Sequence, residues 1–179
     1  NAYLQSENEV LKKSLGLFEN KNNNQSEPIF AKVMLDTESH FLKSILINKG
    51  TKNNITKGMT VFYKEYLMGT IIETNYLSSR VLLLTDLNSK IPVIIEGTDI
   101  NGILEGSGKK KDLILNYLPE GYILEDNKVI FTSGKDGFLS PGIPVAQTYQ
   151  NKKKNILVKL LGDPDQALIV IITKGQIEN

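Results

Sequence analysis

From Ala31 to the end of the chain the apolar residues recur with a period of two, and the helical spacing of three to four does not return. That limits the fold more than any other feature. The runs read as strands are Ala31–Leu35, Phe41–Asn48, Thr60–Tyr63, Met68–Thr74, Arg80–Thr85, Ile91–Ile95 and Gly102–Glu105. They continue with Leu113–Asn116, Lys128–Thr132, Ile143–Gln147, Ile156–Leu161 and Ala167–Thr173. Most are short, rich in Ile, Val, Leu, Thr or Tyr, and closed by Gly, Asn, Asp or Pro. Twelve such runs predict barrels or sandwiches, not alternating strand–helix units. In "FLSPGIPV" (138–145), Pro141-Gly142 suits a type II turn, and Pro144 restricts the next strand to an edge or to its own first residue. "SSRVLLLTD" (78–86) is apolar on both faces, with Val81, Leu83 and Thr85 on one and Leu82 and Leu84 on the other. It predicts a strand covered twice, or one packed between two small barrels.

The first twenty residues differ. Leu4, Asn8, Leu11, Leu15 and Phe18 step by four, three, four and three, a narrow heptad seam with Asn8 at an a-like position. The spacing fits the end of a coiled coil and equally a short amphipathic helix docked on its own domain. "NKNNNQSEP" (20–28) is a polar stretch ending at Pro28, so residues 21–28 are taken as a linker. The chain starts at Asn1 and not at Met, which reads as a piece whose upstream part is missing. No segment has the roughly 18 to 20 apolar residues of a membrane-spanning helix.

The inventory for chemistry is thin. There is no cysteine, so neither disulfides nor thiolate metal sites are available. The only histidine, His40, has Asp36, Ser39 and Ser44 near it in sequence, but no GxSxG elbow accompanies them. Ser133, in "TSGKDG", carries no mark of activation. "GILEGSGKKKD" (102–112) has five residues between Gly102 and Gly108 where a phosphate loop needs four, and it reads as a hairpin turn. Acidic residues alternate without His or Cys partners, so no metal or cofactor site is expected. The triplets Lys109–Lys111 and Lys152–Lys154 read as solvated hairpin tips, and a net charge of +1 gives no footprint for nucleic acid. Apolar residues at loop tips are unusual unless they find cover. Two such tips are the candidates for a partner interface: Tyr63, Tyr66 and Leu67 in "YKEYLMG", and Phe138, Leu139 and Ile143 in the Pro-Gly loop. The neighbouring barrel could provide that cover as well as a partner could.

Four pieces in order, "ILINKGTKNNITKGMTV" (45–61), "GTIIETNYLSSRVLLLTDLNSKIPV" (69–93), "GILEGSG" (102–108) and "VIFTSGKDGFLSPGIPVA" (129–146), resemble the MreC family of bacterial rod-shape-determining proteins. "PDQALIVII" (164–172) resembles the family's last strand and "ENEVLKKSLGL" the end of its coiled coil. The chain departs from the family pattern at Tyr66 for Gly, Asp126-Asn127 for Gly-Asp, Leu139-Ser140 for Phe-Pro, and Ala146 for Gly. Asp and Asn tolerate the left-handed region that turn glycines occupy.

The resemblance implies a mainly β fold, an N-terminal helix followed by two small β-barrel-like domains. It implies a non-catalytic scaffold of the cell-elongation machinery, anchored by one upstream span and lying outside the bacterial inner membrane. Such a scaffold self-associates as dimers or filaments, through the helical seam. It binds the class B penicillin-binding transpeptidase and MreD, and links to RodZ and the MreB–RodA assembly. "SSRVLLLTD" becomes a core strand with Arg80 and Asp86 at its ends. Strand edges and loop tips are the surfaces offered to partners. The expected division puts residues 48–108 in the first barrel, and 29–47 with 109–179 in the second, because the final "ALIVIIT" needs an early partner strand. Two other readings stay open: a two-barrel hydrolase of serine-protease type using His40, and an envelope polymer-binding module using the lysine triplets.

Overall fold

The computed structural model describes residues 27–34 and 43–174 and, apart from these, only Asn8. Twelve strands form two closed barrels. The first contains β1 (Ile29–Met34), β2 (Ser44–Ile47), β3 (Thr60–Tyr63), β4 (Tyr66–Thr74), β5 (Ser79–Leu83) and β12 (Ile169–Thr173), in the order β1-β12-β3-β4-β5-β2. The second contains β6 (Lys90–Ile95), β7 (Asn101–Gly106), β8 (Asp112–Asn116), β9 (Val129–Thr132), β10 (Pro144–Gln150) and β11 (Ile156–Leu160), in the order β10-β11-β8-β7-β6-β9. Every expected run is a strand, with ends moved by three residues or fewer. Pro144 opens β10, the position its missing N–H permits. Gly142 has φ 83°, as the second corner of a type II turn requires, and Asn127 takes φ 58° where the family pattern has its glycine turn.

The division between the barrels differs from the expected one. β6 and β7, residues 90–106, close with the strands of 112–160, while β3, β4 and β5 close with β1, β2 and β12. The reason lies in the run 78–93. Two apolar runs flank the mostly polar turn Thr85–Ser89, and there the chain leaves the first barrel at Leu83 and enters the second at Lys90, a change of partner that the turn itself does not announce. The requirement for an early partner strand does hold: β12 pairs antiparallel with β1, from Ile29↔Ile172 to Lys32↔Ile169. The helix expected over residues 1–20, with Leu4, Leu11, Leu15 and Phe18, lies outside the described residues except for Asn8.

Alternation fills both barrels. The first holds Ile47, Val61, Met68, Ile71, Val81, Val170 and Ile172 inside. The second holds Val93, Leu104, Ile130, Val145 and Val158, and this cluster runs on into Phe62, Leu67 and Ile171 of the first barrel. One apolar cluster therefore fills the second barrel and glues the two together.

The chain passes between the barrels twice, and each crossing is tied down. In the first, residues 84–89, Asp86 is buried and its carboxylate accepts from the backbone N–H of Lys43 (2.7 Å) and of Asn88 (2.8 Å), and from the Asn88 side chain (2.9 Å). The N–H of Gly106 donates to Ser89 C=O at 3.1 Å, and that of Gly108 to Thr85 C=O at 2.9 Å. In the second, the turn Pro164–Gln166 is capped by Asp163, which accepts from Asp165 N–H at 3.2 Å.

Candidate partner-binding surfaces

The loop 133–142 is an exposed feature of the second barrel. Its stem is held by Thr132. The hydroxyl donates to Ser140 C=O at 2.6 Å and accepts from Ile143 N–H at 3.0 Å, while the Thr132 carbonyl accepts from Gly142 N–H at 2.9 Å. Its tip is held by Asp136, whose Oδ1 accepts from the N–H groups of Phe138 and Leu139, both at 3.1 Å. Gly134 and Gly137 both sit at φ 72°, a region that other residues enter only with strain. The result is a braced turn with two adjacent apolar side chains facing opposite ways. Leu139 is 5% exposed and packs into the barrel core, whereas Phe138 is 65% exposed. Ile143 is half-buried against the same core.

The other expected tip plays a different part. Leu67 is fully buried between the barrels. Tyr66 pairs with Tyr63 across the turn, is half-buried, and lines a crevice with Leu160, Gly162, Asp163 and Pro164 of the second crossing. A hydrogen bond with Glu65, then burial, then the charge of Glu65 push the Tyr66 phenol above its ordinary value. Tyr63 is half-buried, with Lys64 Nζ 5.3 Å from its ring centre. The expectation that Leu67 and Leu139 are open to a partner is therefore corrected: both are core side chains. Phe138 stays on the surface, with Tyr63, Tyr66 and Ile143 at its margins of burial.

Exposed apolar residues not picked out beforehand include Tyr76 and Leu77 on the β4–β5 turn, Leu87 on the first crossing, Ile114 on β8, Tyr117 and Ile123 between β8 and β9, Leu157 on β11, and Leu168 before β12. The signal for Tyr76 and Leu77 is present in "TNYLSS", where two large apolar residues interrupt an otherwise polar turn.

The two lysine triplets have different surroundings. Lys110 Nζ lies 2.7 Å from Asp165 Oδ2, and Lys111 Nζ 2.7 Å from Asp163 Oδ2. They strap the β7–β8 hairpin to the second crossing. The hydrogen bond from Lys111 holds the Asp163 carboxyl below the usual carboxylate range, and the hydrogen bond with Asp165 raises Lys110. Lys152–Lys154 form the exposed tip of the β10–β11 hairpin. Arg80, at the other end of the "SSRVLLLTD" run, donates to Ser44 Oγ at 3.1 Å and lies 3.6 Å from Glu73. His40 lies outside the described residues. Ser133 is engaged in its own loop, with its hydroxyl accepting from Lys135 N–H at 3.4 Å.

The family model described as "Rod shape-determining protein MreC, barrel core" matches residues 33–174. The chain is 34% identical over 116 residues to the cell shape-determining protein MreC of Haemophilus influenzae, covering 65% of this chain and 33% of that one. It is 30% identical over 164 residues to that of Caulobacter vibrioides, covering 89% and 45%. The chain thus spans less than half the length of these relatives. A solved structure named MreC superposes with a TM-score of 0.81 at 22% identity, over 95% of this chain and 98% of the other. The major periplasmic domain from the cell shape-determining filament MreC gives 0.68 at 20% identity, over 87% and 100%. MreC from Helicobacter pylori, solved in complex with a penicillin-binding protein, gives 0.58 at 12% identity, over 84% and 100%.

Proposed function

The chain belongs to the MreC rod-shape-determining family, and from this we propose that it is a non-catalytic scaffold of the cell-elongation machinery that binds a penicillin-binding transpeptidase. The solved complex of the Helicobacter pylori relative with a penicillin-binding protein carries this reading. Two side-chain-filled barrels and a hydrogen-bonded loop presenting Phe138 suit a binding role. Aromatic side chains held out on a braced turn lose little entropy on binding. Closed barrels leave few strand edges, so loop tips and outward faces offer most of the contact surface.

The finer parts of the proposal follow from the family. The scaffold self-associates through Leu4, Asn8, Leu11, Leu15 and Phe18, a reading the filament named for one relative favours. It faces the extracytoplasmic side of the inner membrane, anchored by an upstream span, and joins MreD, RodZ and the MreB–RodA assembly. No helix among the described residues is long and apolar enough to cross a membrane.

The test is a titration against the soluble extracytoplasmic domain of the same organism's elongation transpeptidase, at two salt concentrations. Saturable one-to-one binding that changes little with salt is expected, weakened at least tenfold by Phe138→Asp with strand content unchanged. Absence of binding at high micromolar concentration overturns the transpeptidase reading. Equal binding by the variant removes Phe138 from the contact.

A further inference from the structure

The second barrel is closed by its shortest ladder. β8 and β11 share two registered pairs, Lys159↔Asp112 and Val158↔Leu113, extended at one end by the bond from Leu160 N–H to Lys111 C=O at 2.9 Å. At the other end the ladder stops, although β8 continues to Asn116 and β11 starts at Ile156. Residues that exchange both bonds alternate along an antiparallel ladder. Lys111 with Leu160 and Leu113 with Val158 fall on that phase, and Leu115 with Ile156 are the next pair, which is not made. The N–H and C=O of these two residues therefore point across the seam without a registered strand partner, one donor and one acceptor on each side. Unpaired strand groups of this kind are a template for an incoming extended chain.

The side chains around this end of the seam add to this. Ile114 and Leu157 point outward beside it, 46% and 39% exposed, and Tyr117 stands just past β8 at 77%. At the same end of the barrel the hairpin tip presents Lys152, Lys153 and Lys154, all exposed. Lys110 and Lys111 are neutralised by Asp165 and Asp163, but no ion pair among the described residues engages Lys152–Lys154.

We propose that the open end of the β8–β11 seam receives an extended acidic segment of a partner protein, bonded through its main chain at Leu115 and Ile156, with its carboxylates against Lys152–Lys154. Main-chain pairing selects an extended segment, the flanking Ile114 and Leu157 favour apolar residues at alternate positions, and the lysines set the sign of the charge. The proposal rests on the scaffold reading only for the existence of a partner. Its test uses a synthetic probe, so it can fail while transpeptidase binding stands, and the reverse.

The probe is a fluorescent nonapeptide, Glu-Val-Thr-Val-Glu-Val-Thr-Val-Glu, titrated into the whole chain. Saturable binding is expected, with slower amide exchange at Leu115 and Ile156. Charge reversal of Lys152, Lys153 and Lys154 to Glu is expected to weaken it at least tenfold, with the urea midpoint unchanged, while Lys109→Glu leaves it within twofold. A peptide with proline at its central valine is expected to lose binding. Undetectable binding, equal binding of the proline peptide, or equal competition by dextran sulfate each overturns the proposal, the last by showing a general polyanion site. Concentration-dependent dimers abolished by Leu157→Asp overturn it in favour of a second copy of the chain.

Discussion

At the scale of single residues, close approach decides which glycines are needed for contact and which for conformation. Gly106 has an ordinary φ, yet a Cβ there would lie 1.8 Å from the Asp86 carbonyl oxygen. The site is where β7 meets the buried first crossing, so neither backbone can yield without disturbing the Asp86 cap. Gly106→Ala is expected to destabilise the chain by about 3 kcal/mol, the upper end of overpacking costs. Gly137→Ala, where nothing lies within 4 Å but φ is 72°, is expected to cost about 1 kcal/mol. Urea unfolding of both variants measures the difference. A smaller loss for the Gly106 variant shows that the junction gives way. The sequence shows both glycines as turn or strand-end residues and cannot tell them apart. The distinction depends on a strand that lies across a barrel boundary. The same holds for Phe138 and Leu139, adjacent apolar residues on one turn whose opposite fates are set by Asp136 and the barrel beneath.

At the scale of elements, the two lysine triplets read alike in sequence, and only topology separates them. "GKKKD" (108–112) meets "GDPDQ" (162–166) because β11 must return the chain to the first barrel past the β7–β8 hairpin. The Lys111–Asp163 pair makes a pH prediction of definite sign. A carboxyl lowered in the folded state contributes stability above its ordinary value, and this is lost as pH falls through the lowered one. Asp163→Asn is therefore expected to flatten the acid limb of the stability curve just below the ordinary aspartate range, with no change near neutrality in its slope. The effect is small, since the pair is exposed and screened by salt. Thermal midpoints across the acid limb, at low and high salt, measure it. An unchanged limb shows that the strap carries no linkage.

At the scale of the whole molecule, strand identity was legible and strand partnership was not. The period of two and the turn residues mark all twelve strands, because each depends on neighbours a few residues away. The mostly polar residues Thr85–Ser89 mark a turn, but no local rule records that the strands on its two sides close different barrels. This topology makes the two barrels unequal. The second is contiguous, residues 90–160, whereas the first is completed only by β12, about 85 residues after β5. Removing β12 opens the first barrel between β1 and β3 and takes Val170 and Ile172 from its core, along with Ile171 from the shared cluster. A chain ending at Leu168 is expected to lose amide protection throughout β1–β5 while β6–β11 keep a cooperative, protected core. Exchange measured strand by strand decides it. If both barrels lose protection together, the shared cluster of Phe62, Leu67 and Ile171 couples them into one folding unit, and the second barrel's contiguity gives it no independence.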